Sequence, residues 1–208
     1  MSYLQKIVLL KIVIVFFASC ECSKNNKENK ASAVVKSDEK IIENKENKEN
    51  KVKSMAINKI SMLKKEYEAA SSKCRIDIDS GDQMIYTREN KKFSLLEISK
   101  SCDKFYIHFK HIGNLPSSAM GHNILISKEA DIEDLVKKSM DAGVKNNYIP
   151  KDSRVIASSN TILGGGDGDI KNDYIKIDTN SFTVDNKYKF FCSFPGHYAI
   201  MQGDLVVK

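Results

Sequence analysis

The sequence predicts an all-β fold over residues 74–208, an antiparallel β-sandwich with one short helix. After Cys74, short apolar runs alternate with turn residues such as Ser80-Gly81-Asp82, which is typical of successive strands. Only one segment in this region has the periodicity of a helix. These 135 residues are enough to build two packed sheets around one core.

The predicted strands are spread along this whole region. They cover residues 75–79, 84–86, 104–109, 123–126, 173–177, 188–192 and 204–207. The helical segment places four apolar residues on one face: Ile132, Leu135, Val136 and Met140. Ser127 is its predicted cap and Gly143 its predicted stop.

Residues 1–19 have the features of an export signal. Lys6 and Lys11 supply positive charge, an apolar run follows, and small residues precede Cys20. The sequence Phe17-Ala18-Ser19-Cys20 resembles the lipobox of bacterial lipoproteins, in which the leader is cut before a lipid-bearing cysteine. Alternatively, the leader is an ordinary cleaved signal and Cys20 carries no lipid. Both interpretations place the mature protein outside the cytoplasm, where disulfides persist.

The next two segments connect this leader to the domain. Residues 20–53 are nearly all Lys, Asn, Glu and Ser, so they cannot offset the entropy of ordering and predict a disordered tether. Residues 54–73 predict a possible amphipathic helix that packs on the domain or on a partner. Its apolar residues are Met55, Ile57, Ile60, Met62, Leu63 and Tyr67.

The charge distribution argues against nucleic-acid binding. The chain has 33 basic and 27 acidic residues, a net charge of +6. Residues 1–73 hold 15 lysines and 9 acidic residues, whereas residues 74–208 hold 18 residues of each sign. The predicted domain is therefore neutral and offers no basic surface for phosphates.

The chain contains five cysteines. If Cys20 carries lipid, four others are left to explain. Cys74 and Cys102 each lie beside a predicted strand, which makes a structural disulfide between them reasonable in an oxidising compartment.

Cys192 belongs to a loop with metal-binding residues. It ends an apolar strand, and His197 and Met201 follow after gaps of four and three residues. Such a loop can surround one ion, with His122 as the candidate ligand from a distant strand. A thiolate, two imidazoles and a thioether suit an electron-transfer copper centre, whereas structural zinc sites use more Cys and His. The alternative is a disulfide between Cys192 and Cys22.

The sequence around these candidate ligands resembles that of the azurins, blue-copper proteins of the cupredoxin family. Residues 113–116 leading to 120–123, residues 152–157 and residues 190–201 carry the resemblance. The Cys-x4-His-x3-Met spacing is similar to that of azurins, whereas plastocyanins have a shorter gap between Cys and His. The resemblance spans residues 74–208 and implies a Greek-key, cupredoxin-like β-sandwich.

By position, the resemblance implies one copper ion that cycles between Cu(I) and Cu(II). His122, Cys192 and His197 would be its equatorial ligands. Met201 would be a long axial ligand, and the carbonyl of Gly121 would face the ion from the other side.

The resemblance also implies roles for neighbouring residues. Asn123 would tie the two ligand loops together, and a disulfide would join Cys74 to Cys102. His197 would lie near the surface as the route for electrons, with an apolar docking face around it. The matching residues of that face are Met84, Met120, Phe194 and Pro195.

Some features depart from the azurin pattern or stand outside it. Ile124 occupies the place of a core tryptophan, and a longer segment between the paired cysteines implies a lengthened hairpin near residues 88–92. Residues 164–169 lack the spacing of a phosphate or calcium loop and predict a flexible turn. His108 and His111 have no partner cysteine, so both are interpreted as structural.

Together these features predict a lipid-anchored, single-copper electron carrier on the periplasmic or cell-surface face of a bacterial membrane. No enzymatic turnover is expected, because protein groups already fill the ligand set. The expected partners are c-type cytochromes or copper reductases and peroxidases, and the domain is expected to be monomeric.

Two other functions compete with electron transfer. One is copper binding or delivery, which would favour Met- or His-rich clusters that the 7 methionines and 4 histidines do not form outside the one site. The other is an interaction module with incidental redox chemistry, which should tolerate replacement of Cys192.

Overall fold

The computed structural model describes residue 51 and residues 53–208. The predicted leader, residues 1–19, and nearly all of the predicted tether lie outside the described residues. In the described part of the chain, no helix is both long enough and apolar enough to cross a membrane.

Strands dominate the described residues. The strands are β1 (Arg75–Ser80), β2 (Tyr86–Arg88), β3 (Lys91–Lys92), β4 (Leu95–Ile98), β5 (Lys104–His111), β6 (Leu125–Lys128), β7 (Ala157–Ser158), β8 (Asn172–Asp178), β9 (Tyr188–Phe191) and β10 (Gln202–Val207). The α-helices are α1 (residues 53–69), α2 (Ser117–Met120) and α3 (Ile132–Ala142). Short 3-10 turns lie at Ser72–Cys74, Glu129–Asp131, Val144–Asn146 and Thr179–Ser181.

These strands form two five-stranded sheets, as the predicted β-sandwich requires. Sheet A has the order β3-β2-β1-β5-β8, and sheet B has the order β4-β10-β9-β6-β7. The fold class predicted from the sequence is confirmed. However, β1 pairs in parallel with β5 and β10 pairs in parallel with β4, so the sheets are not purely antiparallel. Local patterns do not encode such pairings between distant strands.

The core between the sheets follows the two-residue period of the strands. Ile78 and Phe109 from sheet A and Phe190 from sheet B are fully buried in one cluster. Each such side chain stabilises the fold by roughly 1.5–3 kcal/mol. Ile124, at the place of the azurin tryptophan, is also fully buried in this cluster.

Two of the predicted local features differ from the structure, and a third is confirmed. Met84 was expected in a strand but has φ 52°, so β2 begins only at Tyr86. Ser127 does not cap α3, because it lies in β6 and its hydroxyl donates to the carbonyl of Arg154 at 2.9 Å. The hairpin predicted near residues 88–92 is confirmed as the β2–β3 pair, with Glu89 and Asn90 turning at positive φ.

Helix α3 ends where the sequence predicts, at Gly143, which adopts φ 64°. Its inner face differs from the prediction in the last turn. Ile132 and Leu135 are buried as expected, but Met140 is 41% exposed and Ser139 is buried in its stead. The Ser139 hydroxyl can be buried because it donates to the carbonyl of Leu135 at 2.8 Å.

Helix α1 packs on the outer face of sheet A, which is one of the two possibilities that the sequence left open. The ring of Tyr67 lies 5.4 Å from that of Tyr174 and 5.6 Å from that of His108. Its hydroxyl donates to Asp77 Oδ2 at 2.9 Å. The guanidinium of Arg75 lies 5.1 Å above the same ring. A polar and aromatic contact therefore fixes the C-terminal half of α1.

The buried stripe of α1 is narrower than the predicted apolar face. Met55, Ile57 and Met62 are 64%, 50% and 67% exposed. The residues that pack against sheet A are spaced by three or four positions: Ile60, Leu63, Tyr67 and Ala70. Apolar content alone therefore overestimated the contact face.

A disulfide joins Cys74 to Cys102, as the resemblance implied. The two cysteines precede β1 and β5, which run in parallel from this end of sheet A. The same strands finish at Ser80 and His111. The disulfide therefore lies at the end of sheet A opposite to the turn that follows Ser80.

Candidate metal centre

His122 lies three residues before β6 and is held by its backbone. Its N–H donates to the carbonyl of Leu163 at 3.0 Å, and the Leu163 N–H donates back at 2.8 Å. The preceding Gly121 has no room for a side chain, because a Cβ there would lie 2.4 Å from Ile162 Cγ2 and 2.4 Å from the Ser117 carbonyl. The segment that presents His122 is therefore tightly packed.

The other candidate ligands lie in the loop between β9 and β10. The N–H of Cys192 donates to the carbonyl of Met201 at 3.0 Å, which closes the loop at its ends. Inside it, the Met201 N–H donates to His197 at 2.9 Å, and the His197 N–H donates to Phe194 at 3.1 Å. Gly196 supplies the turn at φ 81°. The predicted spacing thus folds into one compact turn.

The two segments bring three ligand atoms together. The sulfur of Cys192 and a ring nitrogen from each of His122 and His197 all lie within 4.8 Å of one another. His197 Nδ1 is 3.8 Å from the sulfur and 3.2 Å from His122 Nδ1. His122, Cys192 and Met201 are fully buried, and His197 is 3% exposed.

The hydrogen bonding of His122 fixes which nitrogen faces the cluster. Its Nε2 lies 2.8 Å from the carbonyl of Gly81, which can only accept, so Nε2 carries the proton. The lone pair of Nδ1 is therefore directed at Cys192 and His197. Burial lowers the pKa of His122 to about 4 and also lowers the pKa of His197. Both imidazoles are thus neutral at pH 7 and free to bind a metal.

When no cation lies beside it, the thiol of Cys192 is protonated. Burial raises its pKa to about 12, although the backbone N–H groups of Asn123 and Phe194 point at the sulfur and oppose that effect. A bound metal ion would stabilise the thiolate and displace the proton. No sequence pattern indicated these two N–H groups.

Asn123 connects the two ligand-bearing segments, as the resemblance implied. Its Nδ2 donates to Ser193 Oγ at 2.8 Å and to the carbonyl of Asn147 at 3.0 Å. Its Oδ1 accepts from the N–H of Ser193 at 2.8 Å. Ser193, which follows Cys192 and which sequence reasoning missed, also donates to the carbonyl of Tyr148 at 2.6 Å.

This donor set fits copper. One sulfur and two neutral imidazole nitrogens converge, and the buried thioether of Met201 belongs to the same loop. Soft thiolate and thioether ligands with two imidazoles are the set of an electron-transfer copper site. Cys192 is a buried free thiol that faces His197, which argues against its disulfide with Cys22.

The other residues singled out in the sequence lie outside the ligand set. His108 stacks on Tyr174 at 4.4 Å on the outer face of sheet A. His111 stacks on the ring of His122 at 5.2 Å and supplies none of the three converging atoms. Residues 164–169 do not form the loose turn that was predicted, because Gly164 and its neighbours pack closely against residues 113–117.

The comparison with known families agrees with this geometry. Residues 72–208 match the family described as "Copper binding proteins, plastocyanin/azurin family". The chain belongs to this family.

Azurins are among its most similar relatives. The azurin of Pseudomonas fluorescens biotype C is 38% identical over 138 residues, which are 66% of this chain and 100% of the relative. The azurin of Bordetella pertussis is 38% identical over 136 residues, or 65% of this chain and 84% of the relative. A solved azurin (Az-iso2) from Methylomonas sp. strain J aligns with a TM-score of 0.59 at 35% identity, covering 66% of this chain and 99% of that one.

Family and geometry together define an azurin-like, type 1 copper protein. Its single copper site is formed by His122, Cys192, His197 and Met201. Azurins are electron carriers and not enzymes, which agrees with the prediction of no enzymatic turnover. The family match begins at residue 72, so α1 precedes the matched region.

Proposed function

We propose that the protein is a lipid-tethered electron carrier that holds one copper ion and passes electrons between redox proteins on the extracytoplasmic face of a bacterial membrane. The observation that carries this proposal is the convergence of Cys192, His122 and His197 in a buried cluster. The family match and the disulfide support a location outside the cytoplasm.

Each ligand has a proposed role at the metal. His122, Cys192 and His197 would be the main ligands of the copper ion, and Met201 and the carbonyl of Gly121 would be the weaker ligands that complete the set. Bound copper would supply one-electron chemistry by cycling between Cu(I) and Cu(II). The chain itself keeps the two imidazoles neutral, and it holds the sulfur of Cys192 in a site closed to water, where the metal would bind it as a thiolate.

The fold supports electron transfer because it holds these ligands still. The backbone of His122 is paired with Leu163, and the ends of the Cys192–Met201 loop are bonded to each other. Asn123 then bonds the two segments together. Ligands positioned in this way need little rearrangement when the charge of the metal changes.

An apolar docking face around His197 is part of the proposal. The ring of Phe194 lies 4.8 Å from that of His197, and Pro195 beside it is exposed. Met84 and Met120 are half-buried, and the exposed Leu115 and Ile200 are candidates for the same face. A small apolar contact of this kind lets partners meet and separate quickly. Electrons would pass through the ring edge of His197.

The proposed partners are c-type cytochromes or copper-containing reductases and peroxidases. A stopped-flow experiment with a reduced c-type cytochrome tests electron transfer directly. The copper-loaded full chain should oxidise the cytochrome, and Cys22→Ser should behave in the same way because Cys22 is not in the proposed ligand set. Cys192→Ser should lose the reaction. Tight copper binding without electron exchange would instead favour copper delivery.

The anchor is a separate part of the proposal. Lipid on Cys20 would hold the membrane, residues 20–53 would act as the tether, and residues 54–73 and 74–208 would form the helix and the copper domain. Labelled palmitate fed to bacteria that express the chain should enter wild type and Cys22→Ser but not Cys20→Ser. Label in Cys20→Ser would contradict lipid attachment at this cysteine.

A further inference from the structure

The segment between β5 and β6 approaches the metal centre and is held by two carboxylates. Asp82 accepts hydrogen bonds from the N–H groups of Asn114 at 2.9 Å and Leu115 at 3.2 Å. Asp169 accepts from the N–H of Ser117 at 2.7 Å and from its hydroxyl at 2.6 Å. The two carboxylates belong to different loops, so the segment is held from both sides.

The glycine-rich loop brings Asp169 to this position by close backbone contact. A Cβ on Gly164 would lie 2.3 Å from the Ser117 nitrogen, and one on Gly165 would lie 2.1 Å from the Gly113 carbonyl. The Gly165 N–H also donates to the carbonyl of Leu115 at 2.8 Å. The glycines are therefore needed for contact with the segment rather than for flexibility.

Two contacts connect this loop to the ligands. Ser117 begins α2, and its carbonyl lies so close to Gly121 that a Cβ on Gly121 would be 2.4 Å away. On the other side, Leu163 precedes the loop and exchanges both backbone hydrogen bonds with His122. A shift of Ser117 would therefore reach the backbone of Gly121.

The carboxylate of Asp169 is engaged by three donors of the chain itself. Its Oδ2 accepts from Ser117 and from the N–H of Gly166 at 2.9 Å, while its Oδ1 accepts from the Ser117 hydroxyl. Partial burial raises its pKa, but these hydrogen bonds outweigh that effect and hold the pKa below its usual value. Asp169 is therefore ionised, and its charge is directed at the backbone and hydroxyl of Ser117 and at the N–H of Gly166.

We propose that Asp169 is a positioning residue for the copper centre: by holding Ser117, it fixes the backbone that presents Gly121 and His122 to the metal. This inference rests on the proposed electron-transfer function of the same site. The glycine-rich loop then serves to position Ser117 and not to bind a phosphate or a calcium ion.

The test compares Asp169→Asn with Asp167→Asn in the copper-loaded full chain. Both variants remove one negative charge from the same loop, but Asp167 is exposed and bonds to nothing in the segment. Asp169→Asn should weaken copper binding about tenfold and shift both the visible absorption band and the reduction potential. Asp167→Asn should stay close to wild type in all three.

A second readout uses the metal-free protein. Loss of the charged acceptor should make the Ser117 amide exchange its hydrogen about tenfold faster in Asp169→Asn than in Asp167→Asn. Ser117→Ala keeps the backbone hydrogen bond and should give a smaller change in the same direction. If Asp169→Asn fails to fold, Ser117→Ala decides, because it removes only the hydroxyl contact.

The possible outcomes separate the two proposals. The positioning role alone would be overturned if Asp169→Asn and Asp167→Asn had equal copper affinity, reduction potential and Ser117 amide exchange. If Asp169→Asn cannot be obtained, a Ser117→Ala variant identical to wild type would overturn it in the same way. A wild-type chain without an intense blue band would overturn the proposed function and this inference with it.

Discussion

Residues that never touch the metal determine how its ligands are presented. The Gly81 carbonyl selects the tautomer of His122, so that Nδ1 faces the cluster. Two backbone N–H groups point at the sulfur of Cys192, where they favour the thiolate that copper requires. Asn123 and Ser193 join the two ligand segments through two hydrogen bonds, and the Ser193 hydroxyl also donates to the carbonyl of Tyr148. Such outer contacts orient ligands and tune the metal.

Replacing Asn123 should loosen this arrangement. Asn123→Ala leaves the buried N–H of Ser193 without its acceptor, which costs about 1–3 kcal/mol of unfolding free energy. Copper affinity should fall roughly 10–100-fold because the two ligand segments are no longer tied. Denaturant unfolding and copper titration measure these effects, with Asn180→Ala on the exposed surface as the control. Unchanged copper affinity in Asn123→Ala would contradict the role given to this residue.

Among the elements of the described residues, α1 is the one that the matched family region does not include. Its contact with sheet A depends on Tyr67, which combines ring packing on Tyr174 with a hydrogen bond to Asp77. Glu66 adds a second polar contact, because it accepts from the Tyr106 hydroxyl at 3.0 Å and pairs with Lys176 at 2.6 Å. These contacts make α1 part of the folded unit.

Truncating Tyr67 should release α1 without disturbing the metal centre. Tyr67→Ala removes a buried aromatic ring and should cost about 3 kcal/mol of docking free energy, so amide protection over residues 53–69 falls. Tyr67→Phe keeps the ring and should cost about 1 kcal/mol through the lost hydrogen bond to Asp77. Hydrogen exchange measures both, and Met62→Ala at an exposed position is the control. Equal protection in Tyr67→Ala and Met62→Ala would refute this account of docking.

Docking of α1 should also weaken in acid. Burial alone would raise the pKa of Asp77, but hydrogen bonds from Tyr67 and His108, with Lys110 nearby, hold it below its usual value. A carboxyl group whose pKa is depressed in the folded state stabilises that state at pH values above its unfolded pKa of about 3.9. This stabilisation is lost as the pH falls through the folded-state pKa.

Hydrogen exchange at several pH values follows this acid dependence. The pKa of Glu66 is lowered chiefly by its hydrogen bond to Lys176, so it shifts stability in the same direction. Amide protection of α1, corrected for intrinsic exchange, should therefore decline between about pH 6 and about pH 3, because both carboxyl groups become protonated and stop stabilising the docked helix. Asp77→Asn should make the decline shallower. Protection that rises on acidification would contradict the assigned contacts.

Elements differed in how far the sequence could predict them. The loop from Cys192 to Met201 was predictable because its ligands are close in sequence and its turn is local. The short strands β4 and β7 were missed, since edge strands of two to four residues have little pattern of their own. The docked face of α1 was also misjudged, because Tyr174 and Asp77, which select that face, lie on distant strands.

At the scale of the whole molecule, the stabilising disulfide and the metal centre lie at opposite ends of the sandwich. Cys74 and Cys102 precede the parallel strands β1 and β5. Gly81, which follows β1, accepts the hydrogen bond from His122. The fold class and the three ligands of the Cys192–Met201 loop were predictable because strand patterns and the loop motif are local, whereas His122 had to be assigned from a distant segment. The parallel pairings and the Gly81 contact were not, because they depend on the assembled sheets.

This separation predicts that the disulfide affects stability but not the copper site. The bond spans a sequence separation of 28 residues, so replacing both cysteines with serine should lower the unfolding free energy by about 3 kcal/mol. Denaturant unfolding measures this loss. The visible spectrum of the copper-loaded double variant should match wild type. A changed spectrum would show that the far end of the sandwich controls the ligands.

The central claim is that Cys192, His122, His197 and Met201 form one type 1 copper site. The most direct test is the visible absorption spectrum of the Cu(II)-loaded full chain beside those of Cys192→Ser and the control Cys22→Ser. Wild type and Cys22→Ser should show an intense blue thiolate-to-copper band that reductant bleaches, and Cys192→Ser should lack it. A pale wild-type spectrum with tight metal binding, or an unchanged band in Cys192→Ser, would contradict the account.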